Sequence, residues 1–525
     1  MIEPQPVFLR VSLLLLALGL ASGAWAQDGV DPADFALTPT DSWPTYHGDY
    51  SGRRHSTLTD ITPGNVHMLT LAWVFNSNPA QTIKATPIVH DGVIYVTAVD
   101  HLWALDARSG RQIWRYQYRD NAGFRIGHRG VAIAGNSVYL TTRDAHLLSL
   151  NAIDGSVEWE VEIADSDRGY WSTNAPLVVG DHLIVGVSGD FDNLPGVLKS
   201  FDTGTGELQW TFYSTPPPGT PDSISGGATG GQMWMTGTYD PELDLVFIGT
   251  GNPTPVLNGQ VRPGDNKWTG SIVALNPDTG ELVWGFQIMP HDTHDWDAAE
   301  VPVLVDAELD GEPRKLLLQA SRNGYYTVLD RATGENLLTR PFARVNWAER
   351  IDSDGRPIPD PDKEPSRDGR LVSPDEGGGT NYRSPSFDPE TGLLIVSAAD
   401  AYGLYFFKPE HGDYGWAGAS PGVLSRGFLR AIDYRTGEIR WEKDLHGGAG
   451  AAGVLTTATG VTFTGDSASS AMALRTSDGA TLWHSNVGRV GNSPITYELD
   501  GRQYVVIGAG NAVYAFALPQ QLVSD

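Results

Sequence analysis

The chain of 525 residues contains no cysteine. This absence excludes disulfide bonds, a covalently attached c-type haem, a lipid-modified cysteine, iron–sulfur clusters and thiolate zinc sites. The fold must therefore be stabilised by core burial, for which 40% hydrophobic residues are ample. Any redox chemistry would need another cofactor, and its electrons would have to pass to a separate partner.

Basic residues are also scarce. The chain has 36 Lys and Arg against 63 Asp and Glu, which gives a net charge of −27. This acidity argues against binding to nucleic acid or to an anionic membrane surface. It is compatible with a bound cation or a basic protein partner, although its usual meaning is solubility.

Long apolar runs are confined to the N-terminus. Arg10 precedes the run VSLLLLALGL, and Ala-Trp-Ala at residues 24–26 forms a small-x-small cleavage site. The run is short for a bilayer span. We therefore predict a signal peptide at residues 1–26 and a mature protein at residues 27–525, periplasmic or secreted, with no membrane span.

A repeated unit organises the rest of the chain. Each copy has an apolar strand end, a turn with glycine, and tryptophan four residues later. The glycine–tryptophan pairs are Gly110–Trp114, Gly155–Trp159, Gly206–Trp210, Gly280–Trp284, Gly437–Trp441 and Gly479–Trp483. A worn copy keeps Gly334 but has Leu338 at the tryptophan position.

The spacing of these glycines suits one four-stranded propeller blade per copy. Seven copies are visible, and the gap from Gly334 to Gly437 is long enough to hide another. We therefore predict an all-β fold, an eight-bladed β-propeller with tryptophan-docking repeats and a single domain over residues 27–525. Closure should pair the strand around residues 69–76 with the last strands, residues 505–518, and the repeat tryptophans are interpreted as structural.

The stretch HDTHDWD, residues 291–297, departs from the repeat. If it is extended, Asp295 and Asp297 project to one face and Trp296 to the other. Two carboxylates on one side favour a cation between them, and hard cations prefer oxygen ligands. Zinc bound by His291 and His294 and a simple solvated acidic loop are the alternatives.

Other residues outside the repeat could contribute, although each is ambiguous alone. Asn252 follows a strand and offers an amide oxygen to a metal, or else forms an Asx-turn. Trp234 lies outside the tryptophan position of the repeat. Asp190, Arg129 and Arg322 are charged residues close to strand ends.

Together these residues resemble the pyrroloquinoline quinone (PQQ)-dependent alcohol dehydrogenases, eight-bladed propellers related to methanol dehydrogenase. The resemblance runs from about Trp43 to the last strand. Its most specific segments are GGQMWMTGTYDPELDLVFIGTGNP, RPGDNKWT and MPHDTHDWD, which occur in the family's order and spacing.

The resemblance implies a role for each matching residue. Asp295 would be the catalytic base, and Arg322 would lie beside the reactive carbonyl of the quinone. The quinone would stack on Trp234, and its carboxylates would bind Arg129 and Thr173. Further cofactor contacts would come from Asn381, Gln232 and Ser188, and the metal ligands would be Asp190, Asn252, Asp295 and Asp297.

The chain departs from the family pattern in three places. It lacks the vicinal disulfide of methanol dehydrogenase, so residues 123–130 would cover that quinone face. A gapless match puts Phe191 at the position of the family's glutamate metal ligand, so Asp190 is inferred to substitute, with Asp192 as the second choice. Lys84 stands where the family has an early glutamate near the cofactor.

Asp297 bears on the identity of the metal. By resemblance, calcium-using members have a small residue two positions after the base, whereas lanthanide-using members have aspartate. A trivalent ion gains most from an additional carboxylate, so the sequence favours one lanthanide ion, with Ca²⁺ as the alternative.

The resemblance therefore implies an exported enzyme that oxidises a small alcohol by metal-assisted hydride transfer to PQQ and passes electrons to a separate cytochrome c. A non-catalytic propeller of the same repeat, acting as a binding or assembly scaffold, is the alternative function.

Overall fold

The computed structural model describes residues 29–77, 83–118, 127–189, 193–216, 229–408, 415–446 and 452–520. Their helical structure consists of short 3-10 turns at Pro32–Ala36, Val66–Met68, Ser166–Arg168, Gly259–Val261 and Pro361–Lys363. None of these has the length and apolar character that crossing a bilayer requires. The predicted signal peptide lies outside the described residues.

The described strands form eight blades, each with four antiparallel strands at its centre, which we number in chain order; the sheets of two blades carry additional short strands. Blade 1 contains Ile88–His90, Val93–Ala98, His101–Asp106 and Gln112–Gln117; blade 2 contains Ala132–Ala134, Ser137–Thr141, His146–Asn151 and Val157–Glu162. Blade 3 contains Leu177–Val179, His182–Gly186, Val197–Asp202 and Leu208–Tyr213; blade 4 contains Thr238–Asp240, Leu245–Gly249, Ser271–Leu275 and Leu282–Gln287.

The second half of the chain continues the same pattern. Blade 5 contains Val303–Leu309, Glu312–Ala320, Tyr325–Asp330 and Asn336–Pro341; blade 6 contains Ser386–Asp388, Leu393–Phe407, Gly422–Asp433 and Ile439–Leu445. Blade 7 contains Leu455–Thr457, Val461–Gly465, Ser470–Arg475 and Thr481–Asn486; blade 8 contains Ile495–Leu499, Arg502–Ala509, Ala512–Ala517 and Thr70–Asn76. The prediction of an all-β, eight-bladed propeller is confirmed.

A few short strands lie outside this pattern. His55–Ser56 pairs in parallel with the first strand of blade 7. Arg370–Val372 and Gly418–Ala419 extend blade 6. Two small two-stranded sheets pair Thr229–Gly230 with Pro253–Thr254 and Ala348–Ile351 with Pro357–Pro359.

The first and last parts of the chain close the ring within blade 8. Thr70–Asn76 pairs antiparallel with Ala512–Ala517, from Thr70 opposite Ala517 to Asn76 opposite Ala512. This is the predicted closure, and it leaves the last three strands without a free outer edge.

One step of the blade count was wrong. The gap between Gly334 and Gly437 does not hide a blade: blade 5 ends at residue 341, blade 6 begins at residue 386, and an insertion fills the interval. The eighth blade arises from ring closure, which joins strands that are distant in sequence and therefore leaves no continuous copy of the repeat.

Five of the six docking tryptophans pack on the glycine of the following repeat, and the sixth, Trp483, contacts Phe516 of blade 8 instead. Trp114 lies against Gly155, and Trp210 lies against Gly280. The indole Nε1 of Trp114 donates to the carbonyl of Ala152 at 2.9 Å, which joins blade 1 to blade 2. The repeat therefore encodes contacts between neighbouring blades, as its interpretation as a structural signature requires.

The worn copy shows what replaces this contact. Gly437, the glycine that follows Leu338, packs on the side chains of Arg340 and Leu338. The blade interface is retained with aliphatic side-chain atoms in place of an indole.

The strand order determines where loops meet. Because successive strands within a blade are antiparallel, the start of the first strand and the end of the second lie at the same end of the sheet. Loops that enter each blade and loops that connect its second and third strands therefore gather at one end of the propeller, next to its central channel.

Replacing Gly280 with alanine is expected to lower the free energy of unfolding by roughly 3 kcal/mol, from backbone strain and overpacking together. Gly280 has φ +71°, and an added Cβ would lie 2.5 Å from Cε3 of Trp210. Gly501→Ala is the matched control, because Gly501 has φ +68° and open space around its Cβ position. Urea unfolding followed by tryptophan fluorescence measures the free energy of unfolding of both variants. Equal decreases in the two variants would show that contact with Trp210 does not cause the decrease in Gly280→Ala.

Candidate active site

Most sequence-predicted site residues lie in the loops at this end of the propeller. Entry loops and second-to-third-strand loops of blades 2 to 6 supply them. In chain order they are Arg129, Thr173, Ser188, Gln232, Trp234, Asn252, Asp295, Asp297, Arg322 and Asn381. Asp190, with the second choice Asp192, lies outside the described residues.

The loop that enters blade 5 is built around Asp292. Its carboxylate accepts hydrogen bonds from the backbone N–H groups of His294 and Trp296, both at 2.9 Å. Asp295 has a left-handed backbone with φ +66°, so the segment is a compact turn and not the extended strand assumed from the sequence. Trp296 is fully buried and stacks on His294, which anchors the turn.

Arg322 joins the two aspartates of this turn. Its Nη2 donates to Oδ2 of Asp295 at 2.8 Å, and its Nη1 donates to Oδ2 of Asp297 at 2.7 Å. Nη2 also donates to the backbone carbonyl of Glu376. The carboxylates therefore face a common partner even though the backbone between them is not extended.

The electrostatics of Arg322 follow from this arrangement. Burial by itself lowers the pKa of a guanidinium, but the negative charges of Asp295 and Asp297 outweigh burial and raise the pKa of Arg322 above its ordinary value. Arg322 therefore remains a cation between the two carboxylates.

Asp297 is the centre of a wider network. Its Oδ1 accepts a hydrogen bond from the backbone N–H of Asn252 at 2.7 Å. Its Oδ2 accepts a second bond from the indole Nε1 of Trp234 at 3.0 Å, besides the bond from Arg322. Loops of blades 4 and 5 are thus tied together at one buried carboxylate.

Asn252 has an unused acceptor in this network. Its amide nitrogen donates to the carbonyl of Pro253, but its Oδ1 is buried without a hydrogen-bond partner within the described part of the chain. Gln232, whose Nε2 donates to the carbonyl of Leu194, likewise has a buried and unpartnered Oε1. Such oxygens indicate a missing donor or cation.

The two histidines of the HDTHDWD segment have separate structural partners. His294 bonds through Nε2 to the carbonyl of Lys363, and burial lowers its pKa to about 3. His291 bonds through Nδ1 to the carbonyl of Gly264. Among the described residues no group of three or more His, Cys, Asp or Glu side chains is arranged to hold a metal, so the zinc interpretation gains no support.

Arg129 lies over the ring of Trp234, at one end of this network. Its guanidinium carbon is 4.5 Å from the ring centroid of Trp234, and its Nη1 donates to the hydroxyl of Thr173. The backbone N–H of Arg129 also donates to the carbonyl of Thr173 at 3.1 Å. The sequence-predicted carboxylate-binding pair and stacking ring are therefore adjacent.

The remaining predicted contacts are more peripheral. Ser188 is buried and bridges to Trp171 through its backbone. Asn381 uses its side chain locally: its Nδ2 donates to the carbonyl of Gly377, and its Oδ1 accepts from the backbone N–H of Tyr382.

Glu300 was not singled out from the sequence. It is 4% exposed, and neither carboxyl oxygen makes a hydrogen bond of good geometry with a described residue. Burial raises its pKa from 4.5 to about 8; the positive charge of Arg322 opposes this shift and the negative charge of Asp297 adds to it. The available signal was a charged residue at the start of the apolar segment VPVLV.

Comparisons with known proteins identify the family. Residues 43–345 match the family model "Glucose/ethanol/alcohol dehydrogenase, beta-propeller domain", and residues 425–519 match the model "Outer membrane protein assembly factor BamB". Quinohemoprotein alcohol dehydrogenase ADH IIB of Pseudomonas putida is 34% identical over 96% of this chain and 78% of that protein. The chain belongs to the PQQ-dependent alcohol dehydrogenase family.

Two further relatives agree with this assignment. The structure of quinohemoprotein alcohol dehydrogenase ADHIIG from Pseudomonas putida superposes with a TM-score of 0.88 at 30% identity, covering 94% of this chain and 82% of that one. The lanthanide-dependent methanol dehydrogenase of Methylacidiphilum fumariolicum is 30% identical over 98% of this chain and 92% of its own length. The resemblance stated from the sequence is confirmed, and the protein is an enzyme of this family.

The residues of the site fit the groups that the family implies. The unpartnered Oδ1 of Asn252 and the nearby carboxylate of Asp297 are oxygen donors of the kind that hard cations prefer. The indole of Trp234, flanked by the guanidinium of Arg129, offers a flat surface next to positive charge, as an aromatic polycarboxylate requires.

The free energy of unfolding of the Glu300→Gln variant is expected to exceed that of wild type by a margin that grows as pH rises from 5 to 8. The Glu300 carboxyl has a pKa near 8 in the folded protein, against 4.5 ordinarily. Over this pH range the carboxyl is therefore ionised in the unfolded chain but protonated in the folded protein, which favours unfolding. The wild-type free energy of unfolding should therefore fall by up to about 1.4 kcal/mol per pH unit from this group, and level off above its folded-state pKa.

Urea unfolding of the protein freed of metal and cofactor measures this effect. Glu312→Gln, at an exposed glutamate, is the control and should give a difference that does not change with pH. A pH-independent difference for Glu300→Gln would contradict the assignment of a buried, protonated acid.

Proposed function

We propose that the protein is an exported dehydrogenase that oxidises a primary or other small alcohol to the aldehyde or ketone with PQQ, one lanthanide ion and a separate cytochrome c as electron acceptor. The observation that carries this proposal is the network at Asp297. One carboxylate there binds the side chains of Arg322 and Trp234 and the backbone of Asn252.

The proposed cofactor-binding residues surround Trp234. The quinone would stack on its indole, and Arg129 and Thr173 would bind carboxylates. Their mutual hydrogen bond is compatible with this role, because it holds both donors on the same side of the ring. Gln232 and Ser188, both buried in adjoining loops, and Asn381 are proposed as further contacts.

Asp295 is proposed as the catalytic base. Bound PQQ would supply an electrophilic carbonyl as hydride acceptor, and a bound metal would supply a Lewis acid. The carboxylate of Asp295 would take the hydroxyl proton of the alcohol as hydride leaves the carbon. Arg322, 2.8 Å away through Nη2, orients this carboxylate and offers positive charge to the developing negative oxygen.

The proposed metal ligands are Asp295, Asp297, Asn252 and Asp190, with Asp192 as the second choice for the last. All are oxygen donors, which suits Ca²⁺ or a lanthanide. We favour a lanthanide because Asp297 adds a buried carboxylate to the ligand set, and a trivalent ion gains more from that charge than a divalent one. A relative named as lanthanide-dependent supports this choice.

Export and the separate electron acceptor rest on the sequence. Residues 1–26 read as a signal peptide, and a chain without cysteine cannot attach a c-type haem covalently. Electrons from the reduced cofactor would therefore leave through another protein.

Purified protein reconstituted with PQQ and lanthanum is expected to oxidise short alcohols in a dye-linked assay. Asp295→Asn should lower kcat by about 10²- to 10⁴-fold, because it removes the proton acceptor while keeping the side-chain size. Absorbance of the bound quinone should persist in the variant. Absence of both quinone binding and activity with lanthanum and with calcium would contradict the enzyme assignment.

Asp297→Ala is expected to abolish lanthanum-supported activity. The same variant loaded with calcium is its control, because calcium-supported turnover reports whether Trp234 and Arg322 remain correctly placed without their shared carboxylate. Alcohol oxidation is measured with each metal in both proteins. Unchanged lanthanum activity would show that this aspartate is incidental to the choice of metal.

A further inference from the structure

A group of cations surrounds the ring of Tyr382, next to the proposed cofactor site. The guanidinium carbon of Arg383 lies 4.7 Å from the ring centroid, that of Arg129 lies 5.6 Å away, and Nζ of Lys84 lies 5.8 Å away. We call Lys84, Arg129 and Arg383 the cation cluster.

Lys84, Arg129 and Arg383 form no salt bridge with a carboxylate of the described residues, although the chain carries a net charge of −27. The Nε atoms of Arg129 and Arg383 are buried without hydrogen-bond partners in that part of the chain. Guanidinium groups that are partly buried without an anion are unfavourable, so this arrangement calls for an anionic ligand.

The electrostatics of the cluster agree with this argument. Burial lowers the pKa of Arg383 below its ordinary value, and the positive charge of Arg489 lowers it further while Tyr382 opposes the shift. Burial also lowers the pKa of Arg129, with Asp297 the carboxylate that acts against it. An added anion would relieve both effects.

A purely structural role does not account for the cluster. A cation over an aromatic ring contributes roughly 0.5–1 kcal/mol at exposed sites and about 2 kcal/mol when desolvated. Three cations sharing one tyrosine ring repel each other, and among the described residues Arg129 alone of the three has a second aromatic partner of this kind, Trp234. The ring therefore does not offset the burial of the two guanidinium groups.

The position of the cluster selects the ligand. Lys84 enters blade 1 and Arg383 enters blade 6, at the same end of the propeller as Trp234. The stem of Lys84 packs so closely on Gly127 that a Cβ there would lie 3.0 Å from its Cδ, which directs the ammonium group toward Tyr382. Arg129 belongs both to this cluster and to the stacking site.

We propose that Lys84 and Arg383 bind a carboxylate of PQQ, with Arg129 as the residue they share with the stacking site. This inference rests on the proposed function. It assigns a binding role to Lys84, where the family pattern has an acidic residue, and to Arg383. The cations around Tyr382 would then bind the cofactor mainly through charge.

The test is PQQ binding to the metal-loaded protein, measured by quenching of tryptophan fluorescence at low salt. Lys84→Gln and Arg383→Gln should each raise the Kd for PQQ about tenfold, as loss of one charge-assisted contact predicts. Lys84→Arg and Arg383→Lys should restore most of the affinity. Lys267→Ala, at an exposed lysine that contacts Trp268, controls for net charge and should leave the Kd unchanged.

A second ligand separates charge recognition from folding defects. The trimethyl ester of PQQ keeps the ring system but lacks the carboxylates, so its Kd should be the same in wild type and in the Gln variants. Raised salt should weaken PQQ binding less in those variants than in wild type.

The outcomes distinguish this inference from the proposed function. If wild-type protein does not bind PQQ, the proposed function fails and the inference falls with it. If wild type binds PQQ and the Gln variants bind it with the same Kd and salt dependence, the inference alone is overturned. Equal weakening of PQQ and its ester by the variants would also overturn it, because the loss would then be structural.

Discussion

The site depends on the double hydrogen bond by which Arg322 holds Asp295 and Asp297. All three side chains are buried, so each charge needs the others, and removing one would leave an uncompensated charge in the interior. Both aspartates lie on a turn whose backbone is left-handed at Asp295. The proposed base, the proposed metal ligand and the proposed charge-stabilising cation are therefore positioned by these hydrogen bonds.

The propeller supplies the rigid surroundings that this interaction needs. Antiparallel order within each blade brings entry loops to one end, and the packing of the docking tryptophans on the following glycines joins neighbouring blades. Ring closure between residues 70–76 and 512–517 then fixes the circumference. Loops far apart in sequence, such as those holding Lys84 and Arg383, meet around Tyr382 as a result.

The sequence predicted the features that depend on local spacing. Gly–Trp spacing revealed the blades because the docking contacts recur at a regular interval, and the motif around Asp295 indicated the candidate site. The sequence did not predict contacts between distant segments. The eighth blade was placed in the wrong interval because ring closure forms it. Glu300 and Arg383 were not singled out because Arg322, which faces Glu300, and Lys84 and Arg129, which share a ring with Arg383, come from other loops. The aspartates were placed on one side for the wrong reason, since an extended strand was assumed where Asp292 builds a turn.

Anomalous diffraction from crystals of the protein reconstituted with PQQ and lanthanum would locate both the metal and the cofactor. We expect one strong lanthanum peak between the carboxylate of Asp297 and Oδ1 of Asn252, with the quinone stacked on Trp234. A peak bound elsewhere, or a quinone lying away from Trp234, would contradict this expectation.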